Sequence, residues 1–233
     1  MLADNQSTDV HLRVRLASRA MGRHGLTHAY GHVSQRISED AFLVSPPQPL
    51  STVAPHARGT EVALTEPLPE GVLGEVRLHR EIYRRRPDVG GICRIQPPAV
   101  MALSVLGATP RTLHGLGTYF FPAPPLWNGT ALVRDDEMAA AVAEHLGEAV
   151  AIVLRGNGAV VTGAGLEAAC ANAYFLEDAA RVELALLPAR TAALDIIEYS
   201  AEEAAARATS VGGIYERMWE FLCFGDLEWK GTA

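Results

Sequence analysis

Short apolar runs bounded by turn residues alternate with stretches of helical periodicity from one end of this chain to the other. That alternation predicts helices packed on both sides of a sheet, a layered αβα unit. Residues 9–23 place Val10, Leu12, Val14, Leu16, Ala17, Ala20 and Met21 on an amphipathic opening helix that ends at Gly22 or Gly25. Strands are predicted at His32–Ile37, Ala41–Val44 and Glu61–Leu64, with a proline-rich surface loop over 46–59. A helix over Leu73–Arg86 stops before Pro87, Val89–Ile95 is a β-type run, and a further helix starts at Pro97-Pro98, where a first turn tolerates proline. The aromatic-rich segment 112–134 is extended and irregular. Then follow a helix over Asp135–Leu146, strands at Ala151–Leu154 and Ala159–Val161, and an alanine-rich helix over Leu166–Leu187. Ser200 and Glu203 fit a capping box that opens a last helix, running to about Phe224. With no internal repeat and no linker, residues 1–233 are expected to form a single domain.

Charge and composition exclude several function classes. The formal charge of −7 leaves no clustered basic face for nucleic acid. The one basic run, Arg84-Arg85-Arg86, ends a helix, where cations suit the dipole. No stretch approaches the roughly 20 apolar residues of a membrane span. Met1–Thr8 lack the basic-then-apolar order of a secretory signal, so a cytoplasmic location is expected. Cys93, Cys170 and Cys223 are far apart and read as reduced, buried thiols. Of 20 basic residues only Lys230 is a lysine, and it lies in the polar C-terminal tail. Imine chemistry, which needs a desolvated amine, therefore has no candidate, and neither does pyridoxal phosphate.

Four stretches carry the chemistry: Gly31-His32-Val33-Ser34, the helix from Glu75 through His79 to Tyr83, Arg94-Ile95-Gln96-Pro97-Pro98-Ala99, and Arg155-Gly156-Asn157-Gly158. In their order and separations, from about residue 10 to residue 220, the chain resembles the class II aldolase/adducin superfamily of fuculose-phosphate aldolases and ribulose-phosphate 4-epimerases. Ala29–Ser34, Leu78–Val89 and the Ser200 helix start are most similar to its branch with a pyridine-dicarboxylate decarboxylase. The resemblance implies a three-layer αβα domain with a mostly antiparallel central sheet. It also implies a homo-oligomer, typically a tetramer, with sites between neighbouring subunits.

In that family a His-x-His pair and a third histidine bind a divalent metal. The matching positions here are Arg94, Gln96 and Asn157. Guanidinium has no lone pair and keeps its charge, so neither metal nor other cofactor is expected. The family's catalytic carboxylate is kept as Glu75. Arg94 is expected to stand in for the metal as a fixed positive charge beside a carboxylate or enolate, paired with Glu75, which is then ionised and moves a proton. Gln96 and Asn157 are expected to give neutral hydrogen bonds to the substrate, with His32, Ser34, His114 and Tyr119 also at the binding site. His79, four residues after Glu75, is placed to orient a neighbour.

Tyr119, Phe120, Phe121 and Trp127 suit either the wall of a cavity for an aromatic or polyketide-like molecule or plain core and subunit contact. Tyr215, Met218, Trp219 and Phe221 form an apolar face that suits a subunit interface. A new metal site from His28, His32 and His114 is a further arrangement to test. The arginine- and alanine-rich composition is that of a high-GC bacterial gene, a setting for specialised metabolism.

Two functions remain open. One is a metal-independent lyase or isomerase that acts on a small carboxylated or carbonyl-bearing molecule by decarboxylation, retro-aldol cleavage, dehydration or enolisation. All of these need negative charge stabilised beside a carbonyl. The other is a non-catalytic binding or interaction domain, as in adducin. A non-haem iron oxygenase would need histidines that the chain lacks.

Overall fold

Apolar residues occupy both faces of the central strands, so this sheet can only be a middle layer. The computed structural model of the protein describes residues 9–191 and 194–231; the polar stretch Met1–Thr8 lies outside them. The elements run α1 (Val10–Arg23), β1 (His32–Arg36), β2 (Ala41–Val44), β3 (Thr60–Ala63), α2 (Arg77–Arg85), β4 (Gly91–Ile95), α3 (Pro98–Ser104), β5 (Leu126–Trp127), α4 (Asp136–Leu146), β6 (Ala151–Leu154), β7 (Gly158–Gly163), α5 (Leu166–Thr191), α6 (Ala201–Arg207) and α7 (Ile214–Cys223). The seven strands form one sheet of order β3-β2-β1-β4-β7-β6-β5. Every neighbouring pair is antiparallel except β5 with β6.

Residue parity along the strands divides the core in two. Val33, Leu43, Cys93, Ile95, Val153 and Val161 face α1, α3, α5 and α7. Their neighbours Phe42, Val44, Val62, Ile92, Ile152 and Val160 face α2 and α4. This is the three-layer αβα arrangement, with helices on both faces of a mostly antiparallel sheet. Cys93, Cys170 and Cys223 are free and buried. Among the described residues no helix is long and apolar enough to cross a membrane.

Several sequence expectations need correction. The stretch from Ser200 to Phe224 is two helices, because Gly212 and Gly213 take φ of +84° and +67°, which no continuing helix allows. The capping box at Ser200 is present, with the Ser200 amide donating to Glu203 at 2.8 Å. The apolar face at the C-terminus is largely covered: Trp219 and Leu222 are buried in the core, Tyr215 and Met218 pack against it, and Phe221 stays 51% exposed. The helix over 73–86 opens with a 3-10 turn, Gly74–Val76.

The chain end is held by charge. Arg19 makes a fork to Asp226 at 2.8 and 2.7 Å and reaches Glu228 at 2.8 Å, while Arg15 donates to Glu228 at 2.9 Å. The Asp226 side chain is 1% exposed. Burial raises both carboxyl pKa values, and the arginine hydrogen bonds more than offset this, leaving both below their ordinary range. A carboxylate with a depressed folded pKa contributes its full stability above the unfolded value of about 4 and loses it as pH falls through the folded one. Asp226→Asn, which leaves Arg19 only Glu228 as counter-charge, should cost about 2 kcal/mol at pH 7 by urea denaturation. The deficit should narrow as the pH approaches 2; a deficit unchanged across that range would contradict the clasp.

Candidate active site

Polar side chains interrupt one of the two apolar sheet faces where β1 meets β4. In the antiparallel pairing of β1 with β4, His32 sits opposite Arg94 and Ser34 opposite Ile92. His32, Ser34 and Arg94 therefore share the face that α2 covers. Helix α2 places His79 and Tyr83 over them, and the 3-10 turn before it brings in Glu75. Gln96 follows the end of β4, and Asn157 sits in the tight turn between β6 and β7. Gly31 has φ of +137°, and a Cβ there would meet the Arg94 carbonyl and Thr27 at 2.8 Å, so only glycine lets β1 enter so close to β4.

Arg94 is the centre of the site. It is fully buried yet charged, and its Nε lies 3.2 Å from Oε2 of Glu75, an ion pair not aligned as a hydrogen bond. Its Nη1 donates to the carbonyls of Ile95 at 2.8 Å and Asn157 at 2.9 Å. Burial pulls the guanidinium pKa down, and the Glu75 charge opposes that. Gln96 donates from Nε2 to Oδ1 of Asn157 at 3.2 Å. Oε1 of Glu75 is buried without a hydrogen-bond partner.

Beside this pair runs a buried polar chain. His32 Nδ1 lies 2.8 Å from His79 Nε2, His79 Nδ1 lies 2.6 Å from Ser34 Oγ, and Ser34 Oγ lies 3.0 Å from the Tyr83 hydroxyl. Burial first, then the charge of Arg94, holds the His79 imidazole down to about 3. His32 is lowered by burial, His79 and Arg94. Both rings are neutral at physiological pH.

These residues border a cavity of about 960 Å³, lined by His32, Glu75, Arg94, Gln96 and Asn157, with Tyr30, Gln48, Arg77 and Arg134 also in its wall. Arg77 is paired with Asp136 at 2.8 Å, whereas Arg134 has no ion-pair partner among the described residues. With Arg77 paired to Asp136 and Arg94 to Glu75, Arg134 leaves this wall with a net positive charge.

The structure thus gathers Glu75, Arg94, Gln96, Asn157 and His32, with Ser34 directly behind His32 and outside the cavity lining. His114 and Tyr119 are not at this cavity. Tyr119 packs on Phe175 and Tyr215 and donates its hydroxyl to the Thr209 carbonyl at 2.6 Å, so it anchors α6 and α7 to α5. His114 lies near Asp178 and Arg207 in that same region. Phe120 is core and Phe121 is exposed, while Trp127 packs on His145; none of them lines the cavity. His28, His32 and His114 do not gather into a metal site: His28 is exposed, and no three potential ligands among the described residues do. The sequence motifs include Tyr83 without giving it a role and do not include Arg134. The four-residue spacing from His79 was the available signal for Tyr83.

The donor set does not fit the divalent ion that the resemblance brings with it. Arg94 offers no lone pair and repels a cation, one oxygen of Glu75 is taken by that guanidinium, and the amides of Gln96 and Asn157 are joined to each other.

Comparisons with known proteins agree with the fold and extend it. Residues 13–184 match the family model for the Class II Aldolase and Adducin N-terminal domain. The 3,4-dihydroxyphthalate decarboxylase of Arthrobacter keyseri is 27% identical over 202 residues, 78% of this chain and 81% of that protein. The enzyme of the same name from Terrabacter sp. (strain DBF63) is 27% identical over 198 residues, 77% of this chain and 82% of its own length. Among solved structures, L-fuculose-1-phosphate aldolase from Thermus thermophilus superposes with a TM-score of 0.71 at 28% identity, covering 78% of this chain and 96% of that one. An aldolase II superfamily protein from Pseudomonas syringae gives 0.77 at 21% identity, over 93% and 91% of the two chains, a likeness of fold. The chain belongs to the class II aldolase and adducin N-terminal domain family.

Proposed function

We propose that this protein is a lyase that removes carbon dioxide from a small hydroxylated or carbonyl-bearing acid, and that it does so without the divalent metal that the family resemblance implies. The observation that carries this reading is the buried Arg94–Glu75 pair in the floor of an open, arginine-lined cavity. Decarboxylation is chosen among the lyase reactions because relatives along most of the chain are named decarboxylases.

Each group has a task in that reaction. When the carbon–carboxylate bond breaks, its electron pair passes into the neighbouring carbonyl or ring, and an oxygen there gains negative charge. Arg94 faces that oxygen as a fixed cation in a place of low dielectric, where such stabilisation counts most. A proton must then join the carbon that lost carbon dioxide. Solvent supplies it and the Glu75 carboxyl relays it to the carbon, so that the acid carboxylate and one water give the protonated product and bicarbonate. Gln96 and Asn157 orient the acid, and Arg134 draws it in. A homo-oligomer, in which neighbouring subunits border the cavity, is part of this proposal.

Release of carbon dioxide from 3,4-dihydroxyphthalate and a panel of related acids tests the reading. Turnover should persist after exhaustive chelation, and Arg94→Ala should lose about 10²- to 10³-fold in kcat. Because that change also strands two carbonyls, Arg94→Lys serves as a second variant; it keeps the charge without the planar fork and should fall between the two. Full turnover in Arg94→Ala, or activity that returns only with a stoichiometric divalent ion, would overturn the proposal. The pH profile gives an independent check. With His32 and His79 both held neutral, kcat should show no imidazole inflection between pH 5 and 8; an inflection near 6.5 that vanishes in His32→Phe would contradict this.

A further inference from the structure

The polar chain behind the cavity has a direction, and that direction sets what His32 presents to a ligand. A backbone carbonyl can only accept, so the Tyr83 hydroxyl, 3.1 Å from the Ser34 carbonyl, donates to it. The Tyr83 oxygen is then an acceptor towards Ser34 Oγ, 3.0 Å away, and the serine spends its one proton there. Ser34 Oγ consequently accepts from His79 Nδ1 at 2.6 Å. His79, neutral, has a lone pair left on Nε2, and His32 donates to it from Nδ1 at 2.8 Å. In this order every contact of the chain joins a donor to an acceptor. Reversed, Tyr83 must turn its proton to Ser34 Oγ, and its oxygen then faces the Ser34 carbonyl with no proton between them.

His32 is therefore the tautomer with its proton on Nδ1, and its remaining nitrogen, Nε2, is a bare acceptor. That atom has no partner, and the ring that carries it is 3% exposed and lines the cavity. A buried acceptor with no donor costs about 1–3 kcal/mol, recovered when a ligand supplies one.

We infer that His32 Nε2 is the site's reader of a substrate hydroxyl: it accepts a hydrogen bond from an O–H of the bound acid, so that the cavity selects hydroxylated carboxylic acids over the same acids without the hydroxyl. This deepens the reading of the site as an acid-binding lyase centre and rests on it. No proton is transferred to His32, since burial and Arg94 both oppose a cationic ring. Ser34, His79 and Tyr83 are positioning residues, which act only by fixing the tautomer.

Two measurements decide this. The ¹⁵N shifts of His32 in the free protein should show Nδ1 protonated and Nε2 unprotonated. Tyr83→Phe removes the donor that sets the direction, frees the serine proton to turn to His79, and should move His32 to the Nε2–H form. Binding of phthalate and of 3,4-dihydroxyphthalate gives the second readout. Wild type should prefer the hydroxylated acid by about tenfold or more, and His32→Phe should bring the ratio close to one while affinity for phthalate is largely kept. An Nε2–H signal in wild type, or equal affinity for the two acids, overturns the inference. Turnover that survives in Arg94→Ala instead sinks the guanidinium reading alone, because the ¹⁵N signature requires no substrate.

Discussion

A guanidinium enclosed between a sheet and its covering helix layer must be compensated, and the compensation of Arg94 organises this site. Two carbonyls take its Nη1 protons and Glu75 supplies the counter-charge, from a turn just before α2. The ion pair is worth little as a source of stability, since desolvation consumes most of the attraction. Its value is positional. A charge that cannot relax away stays aimed at the cavity, and the carboxylate beside it is tied by one oxygen only.

The same sheet face explains why the polar chain is so constrained. Phe42, Val44, Ile92 and Val160 make that face apolar around His32, Ser34 and Arg94, so water cannot satisfy these groups and they must satisfy one another. Such a network has few self-consistent proton arrangements. The close approach of β1 to β4 at Gly31 then brings the end of the network to the cavity wall, next to the guanidinium. Fold and site are linked through register: a slip of one residue in β1 would turn His32 and Ser34 to the opposite face.

Much of the architecture was legible from residue patterns. The strands Ala41–Val44 and Ala151–Leu154 appear with the bounds their apolar runs predict, and the helix expected from Asp135 starts one residue later, with Asp135 as its N-cap. Convergence of Glu75, Arg94, Gln96 and Asn157 followed from motifs with a known spatial order. The last helix was misread because two glycines inside a long periodic stretch carry no sign of whether they bend the chain or end it. His114 and Tyr119 lie away from the cavity because they belong to the irregular segment 112–134, whose sequence does not tell to which side of the sheet it is pinned. The tyrosine–serine–histidine–histidine chain was invisible for another reason. It joins β1 to α2 across about 50 residues, and its direction depends on one carbonyl contact that only three-dimensional register reveals.

The central claim is that a fixed guanidinium does here what a divalent ion does in a metal-dependent site. Diffraction from crystals grown with both Mn²⁺ and 3,4-dihydroxyphthalate, recorded at the manganese edge, tests it most directly. The account predicts an oxygen of the acid seated on the Arg94 guanidinium and no anomalous peak within the cavity; a peak ligated by Glu75, Gln96 and Asn157 would contradict it.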